Sequence, residues 1–153
     1  MSTYTEILAG QTFFSGLPPE TLEAIGAICA DIEFERDDWV LREGDPADVF
    51  YVLTGGRVAL EINAPTRPAL TIETLGPGDV VGLSWILPDH QWTFDARAVE
   101  TSPAVAVDAI RLRAMCDDDP KLGYALYRRF SGLIRSRLQA TRVQLLDLFG
   151  RET

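Results

Sequence analysis

The chain has 153 residues, of which 46% are hydrophobic and 24% charged, with a formal net charge of -9. That length suits one domain, 1–153, with a sizeable core and no second folding unit, and the composition is that of a globular chain rather than a disordered one. No apolar run nears the roughly 18 residues needed to span a bilayer, and the Met1–Glu6 start lacks a basic signal region, so no membrane association and a cytoplasmic location are expected.

The charge is unevenly placed. Residues 1–110 hold 18 Asp and Glu against 5 Lys and Arg, whereas residues 111–153 hold 9 basic against 5 acidic residues. The acidic body should repel polyanions, because DNA binding requires several phosphates to be neutralised by Lys or Arg. Cys29 and Cys116 lie far apart with one histidine, His90, to join them, so they read as buried free thiols rather than metal ligands.

In chain order, residues 5–14 and 18–28 read as two short helices. Leu22, Ala24, Ile25 and Ile28 recur at helical spacing, and Pro18-Pro19-Glu20 suits a helix start. From Asp31 the pattern changes to short β-branched and aromatic runs separated by Gly, Pro and Asp, the rhythm of an antiparallel sandwich or roll. Strands are predicted at 32–36, 39–42, 49–53, 57–63, 70–75, 95–99 and 104–107. Val58, Leu60 and Ile62 alternate with Arg57, Ala59, Glu61 and Asn63, which places the first three on the core face. Turns at Glu43-Gly44-Asp45, Thr54-Gly55-Gly56 and Gly76-Pro77-Gly78-Asp79 supply glycines for the reversals.

After Asp117-Asp118-Asp119-Pro120 the pattern is helical to Phe149, with acidic residues and proline suiting the start and Gly150 the stop. Leu122, Leu126, Phe130, Leu133, Leu138, Thr141, Leu145 and Leu148 form an apolar stripe, with Arg128, Arg129, Arg135, Arg137 and Arg142 around it. The first half can pack on the roll. The second, extending past a compact domain, would be covered by an identical helix, which makes a homodimer the expected partner arrangement; Leu126, Phe130, Leu133, Leu138, Thr141 and Leu145 are the candidate dimer-helix residues. The fold class is therefore mainly β with flanking helices: N-terminal helices over 1–30, an antiparallel jelly-roll (cupin-like) β-roll over 31–108 and C-terminal helices over 109–153.

The Phe14-Ser15-Gly16-Leu17-Pro18 entry, the Val40–Leu53 run with Glu43-Gly44-Asp45-Pro46, the Gly55-Gly56-Arg57-Val58 turn and Leu75-Gly76-Pro77-Gly78-Asp79-Val80-Val81-Gly82 resemble the cyclic-nucleotide-binding domain of the catabolite-activator and fumarate-nitrate-regulator family, in this order and over nearly the whole chain. The resemblance implies an eight-stranded roll with a small ligand between its sheets, over a phosphate-binding segment and against the long C-terminal helix. It also implies a regulatory role in signal transduction, without catalysis or a cofactor. A DNA-binding member would continue into a helix-turn-helix domain, whereas this chain stops at Thr153; nucleic acid is accordingly not an expected partner.

The departures fall on the phosphate-binding segment. The family's Gly-Glu pair opens it and an arginine about ten residues later neutralises the cyclic phosphate; here Leu83 follows Gly82, and the arginine position falls at or near Trp92, followed by Thr93. Leucine offers no acceptor, and an indole offers one neutral donor where a phosphate needs a charged, preferably bidentate partner. Arg97 lies an odd offset beyond Trp92 and would point to the other face unless a bulge turned it inward. Gly82, Leu83, Ser84, Trp85, Trp92, Thr93 and, in that last case, Arg97 are the candidate pocket residues. Two accounts stand open: the aromatic residues fill the nucleotide's space, or they receive an apolar ligand or a partner protein. Ser84, Asp89 and His90 crowd one loop without a catalytic motif, and Asp117–Asp119 lacks the Gly and distal Glu of a calcium loop.

Overall fold

The computed structural model describes residues 3–11 and 13–152, and side chains from Tyr4 to Leu148 save Thr12. Two helices open the chain, α1 (Thr3–Ala9) and α2 (Pro19–Gly26), the second entered by proline in its first turn. Leu22 and Ile25 face the core as the periodicity predicts, whereas Ala24 is exposed.

Eight strands follow: β1 (Cys29–Phe34), β2 (Trp39–Leu41), β3 (Val49–Leu53), β4 (Val58–Ala64), β5 (Arg67–Leu75), β6 (Val80–Val81), β7 (Asp95–Ala98) and β8 (Ser102–Asp108). They form two four-stranded antiparallel sheets, ordered β1-β8-β3-β6 and β2-β7-β4-β5, the interleaved connectivity of a jelly roll. Glycines at three reversals, Gly44, Gly56 and Gly78, take positive φ, the left-handed backbone that disfavours any side chain.

The alternation read along β4 holds only in part. Val58 and Leu60 are buried, but so are Ala59 and Glu61, while Ile62 is exposed. The register against β5 shifts between Leu60 and Glu61, where Leu60 faces Glu73 and Glu61 faces Thr71, so β5 carries one extra residue there, while β4 runs against β7 without a shift from Val58 to Glu61. Ala59 and Glu61 are thus buried on the face opposite Val58 and Leu60, where the Arg97 Nη2 sits 3.2 Å from the Glu61 carboxylate and compensates the charge of a side chain that would otherwise avoid burial.

Two helices close the fold, α3 (Ala109–Asp118) and α4 (Pro120–Glu152). Asp108 caps α3 by accepting from the Arg111 amide at 3.0 Å, and Asp119 caps α4 by accepting from the amides of Lys121 and Leu122. α4 continues helically through Gly150 rather than stopping there.

The apolar stripe of α4 is two stripes. Leu122, Leu126 and Phe130 are buried in the chain's own core, with Leu133 partly buried against it. Leu126 and Phe130 are therefore unavailable to a second copy, contrary to their assignment as dimer residues. The step from Leu133 to Leu138 is five residues, a rotation of about 140° at 3.6 residues per turn, and it carries Leu138 and Leu145 to the solvent side. Both are exposed, as are Tyr124 and Tyr127 earlier on the same side.

Cys29 and Cys116 are free but only partly buried, a correction to their reading as interior thiols. Burial pushes the Cys29 thiol up to about 12 and, with Asp117 and Asp119 nearby, the Cys116 thiol up to about 11. Among the described residues there is no metal-holding cluster, and no helix is long and apolar enough to cross a membrane.

Candidate functional site

The segment after β6 carries the site. Gly82 leaves the strand with φ +106, and a one-turn 3-10 helix, Ser84–Ile86, follows. Trp85 at its centre is fully buried, stacked on Phe50 of β3 with ring centroids 5.0 Å apart and edge-on to Phe130 of α4 at 4.9 Å. This short helix is tied down from both C-terminal helices. Arg113 of α3 donates to the Trp85 carbonyl at 2.8 Å and the Ala47 carbonyl at 3.0 Å, and the Tyr127 hydroxyl of α4 donates to the Ile86 carbonyl at 2.9 Å.

The chain then returns through Asp89-His90-Gln91 alongside the turn at Asp45-Pro46-Ala47. Ala47 donates to the His90 carbonyl, Trp92 to the Asp45 carbonyl and Gly44 to the Trp92 carbonyl. These bonds fix Trp92 so that its indole lies over Gly82: a Cβ on Gly82 would meet ring carbons Cη2 and Cζ3 at 2.6 and 2.8 Å. His90 is exposed in this loop, as expected of a surface histidine.

Both tryptophans are packed inside, yet a space remains beside Trp92. A cavity of about 210 Å³, open on one side, lies between this segment, β2, β4 and α4. Of the residues assigned to the pocket, Gly82, Leu83, Ser84, Trp92 and Thr93 line it. Trp85 does not, because it points into the aromatic cluster beneath. Arg97 does not either: it is held by Glu61 and by Asp37 at 3.0 Å away from the cavity, so its place among the pocket residues is withdrawn, although not through strand parity with Trp92, since β7 begins only at Asp95.

That arginine acts structurally. Hydrogen bonds and charge from Glu61, with a smaller contribution from Asp37, raise its pKa further. Arg97→Met leaves the Glu61 carboxylate buried without its cation, and is expected to lower stability to urea by about 1–2 kcal/mol, discounted from a buried pair because the guanidinium is partly solvated. Unchanged unfolding would show that solvent already serves Glu61.

α4 supplies the rest of the cavity wall. Ile134, Arg137, Leu138 and Thr141 line it, so two residues read as dimer contacts, Leu138 and Thr141, also face the pocket. Arg137, one of the arginines around the stripe, has a side chain only 11% exposed and reaches Glu73 of β5 with its Nε 3.5 Å from a carboxylate oxygen. Burial lowers its pKa, while Glu73 and Asp79 raise it. No sequence signal distinguishes Arg137 from its neighbours; its role depends on α4 lying along β5. On the opposite wall the Ser84 and Thr93 hydroxyls share a hydrogen bond at 3.2 Å.

Residues 31–119 match the model of the cyclic nucleotide-binding domain. The chain is 29% identical over 143 residues to a CRP-like cAMP-activated global transcriptional regulator of Mycobacterium tuberculosis, covering 94% of this chain and 62% of the relative, so it spans under two thirds of that protein's length. It is also 29% identical over 104 residues to the acetyltransferase Pat of Mycolicibacterium smegmatis, covering 65% of this chain and 31% of that relative. Among solved structures, a putative cyclic nucleotide-binding protein from Geobacter metallireducens superposes with a TM-score of 0.80 at 27% identity, covering 90% of this chain and 99% of that one.

Proposed function

We propose that this chain, which belongs to the cyclic nucleotide-binding domain family, is a non-catalytic regulatory module that takes no cyclic nucleotide and works through α4, as a homodimer or docked on another protein. The observation that carries this reading is the Trp92 indole lying on Gly82, in the segment where the family grips its cyclic phosphate. Leu83 beside it offers no acceptor for a ribose hydroxyl. The segment itself offers a phosphate monoanion no charged partner, and the one cation among the described lining residues, Arg137 of α4, already faces Glu73. Size argues the same way, since about 210 Å³ is below the roughly 300 Å³ at which sites for larger organic ligands begin.

The reading of α4 as a dimer helix rests on its solvent side. Tyr124, Ser131, Leu138 and Leu145 recur every seventh residue, with Tyr127, Ile134, Thr141 and Leu148 three places after each, the two seam positions of a heptad pattern. Tyr124, Tyr127, Leu138 and Leu145 are exposed along it, and the helix, about 50 Å long at 1.5 Å per residue, extends well past its aromatic anchorage. A self-complementary seam of this kind is covered by a two-fold copy of itself.

Titration calorimetry with cyclic AMP and cyclic GMP is expected to show no micromolar binding, and clear micromolar binding ends the reading. Sedimentation at micromolar concentration should give a dimer that Leu138→Glu with Leu145→Glu converts to a folded monomer; a wild-type monomer removes the homodimer from the proposal.

A further inference from the structure

The cavity is unusual in what it combines. Its walls are aliphatic and aromatic, from Leu41, Leu60, Leu83, Trp92 and Phe94, and its single cation among the described lining residues is Arg137. A guanidinium carries five N–H donors in a planar fork. Here the Nε–H faces Glu73 at 3.5 Å, the outer limit of a hydrogen bond, and the two Nη amino groups make no hydrogen bond among the described residues. A largely buried arginine with an unused bidentate edge, at the wall of an apolar cavity, is a receptor for a planar oxyanion.

We propose that this cavity binds a small monocarboxylate with an apolar body, its carboxylate on the Nη edge of Arg137 and its hydrocarbon against Leu60, Leu83 and Trp92. The inference rests on the reading above that no cyclic nucleotide occupies the site. Charge limits the class to monoanions, since one cation already facing Glu73 disfavours a phosphate dianion; the small apolar cavity then favours a carboxylate on a hydrocarbon body over a nucleotide's phosphodiester. Volume selects the size, a single ring or a short alkyl chain rather than a fatty acid. The Ser84 and Thr93 hydroxyls, bonded to each other, retain capacity for one further polar group on the ligand. Because four α4 residues line the cavity, occupancy bears directly on the helix that carries the proposed dimer seam.

The test uses the whole chain with benzoate and hexanoate as probes and benzamide as the uncharged counterpart of benzoate. Calorimetry, supported by the change in intrinsic tryptophan fluorescence, is expected to show saturable binding of a carboxylate on the order of 1 mM or tighter, with benzamide at least tenfold weaker. Arg137→Met should weaken carboxylate binding roughly tenfold or more, and Arg137→Lys less, provided circular dichroism shows each folded. Equal binding of benzoate and benzamide overturns the proposal, as does a folded Arg137→Met that binds carboxylate unchanged. If Arg137→Met does not fold, the wild-type comparison of charged and uncharged probes decides alone. Silence from carboxylates and cyclic AMP alike overturns this proposal and leaves the preceding one standing, whereas micromolar binding of cyclic AMP overturns both.

Discussion

Trp85→Ala is expected to destabilise the chain by about 3–5 kcal/mol, the range for truncating a fully buried aromatic residue, and so to lower the melting temperature by roughly 8–15 °C at this chain length. The loss should be near the upper end because Trp85 is a junction. Its stacking on Phe50 holds β3, its edge contact with Phe130 holds α4, and Phe130 in turn meets Phe13 at 4.4 Å, which joins the N-terminal segment to the same cluster. Such ring pairs add about 0.5–1.5 kcal/mol each beyond the area they bury. Trp85→Phe separates packing from polarity. The Trp85 Nε1 is buried without a hydrogen-bond partner among the described residues, so removing that N–H recovers part of its desolvation cost and offsets the smaller ring. Thermal and urea unfolding should place Trp85→Phe within about 1.5 kcal/mol of the parent while Trp85→Ala falls several kcal/mol below it. A Phe variant as damaged as Ala would mean that the indole nitrogen is satisfied in solution.

The roll was legible because its punctuation is chemical. Glycine, proline and aspartate mark the reversals at 43–45, 54–56 and 76–79, and β3 emerged with the predicted bounds, Val49–Leu53. β6 was not separated from its turn, since two valines directly after Gly-Pro-Gly-Asp give no period to read. The burial of Glu61 stayed hidden for another reason: it depends on Arg97 of the neighbouring strand β7 meeting its carboxylate, which no property of residues 58–64 records. On α4 the clue was present and misread, because the five-residue step from Leu133 to Leu138 breaks the stripe. At the site, sequence reasoning named the segment from Gly82 to Phe94 and kept Arg97 as a pocket candidate in case a bulge turned it inward, but it did not place Leu41, Leu60, Ile134 or Arg137 there. Those residues converge only through sheet curvature and helix docking. Arg137 in particular depends on a contact with Glu73, 64 positions away in the chain.

Gly82→Ala should cost about 3–5 kcal/mol, and its cost should depend on Trp92. Two effects add at this position. At φ +106 an L-residue is strained, by about 1–3 kcal/mol whatever surrounds it. The new methyl also enters the Trp92 ring at 2.6 Å, with the Phe50 Cβ at 3.2 Å behind it, and the ring cannot withdraw freely because the Trp92 backbone is bonded on both sides to the Gly44–Asp45 turn. Trp92→Ala alone should cost about 3–4 kcal/mol for the lost buried ring. In the double variant the steric effect disappears while the backbone strain remains, so the combined loss should fall short of the sum of the singles by roughly 1–2 kcal/mol. Urea unfolding of the four proteins measures this coupling. A coupling near zero would mean that the indole does not rest on Gly82. A clear coupling locates the ring in solution where the fold places it, over Gly82.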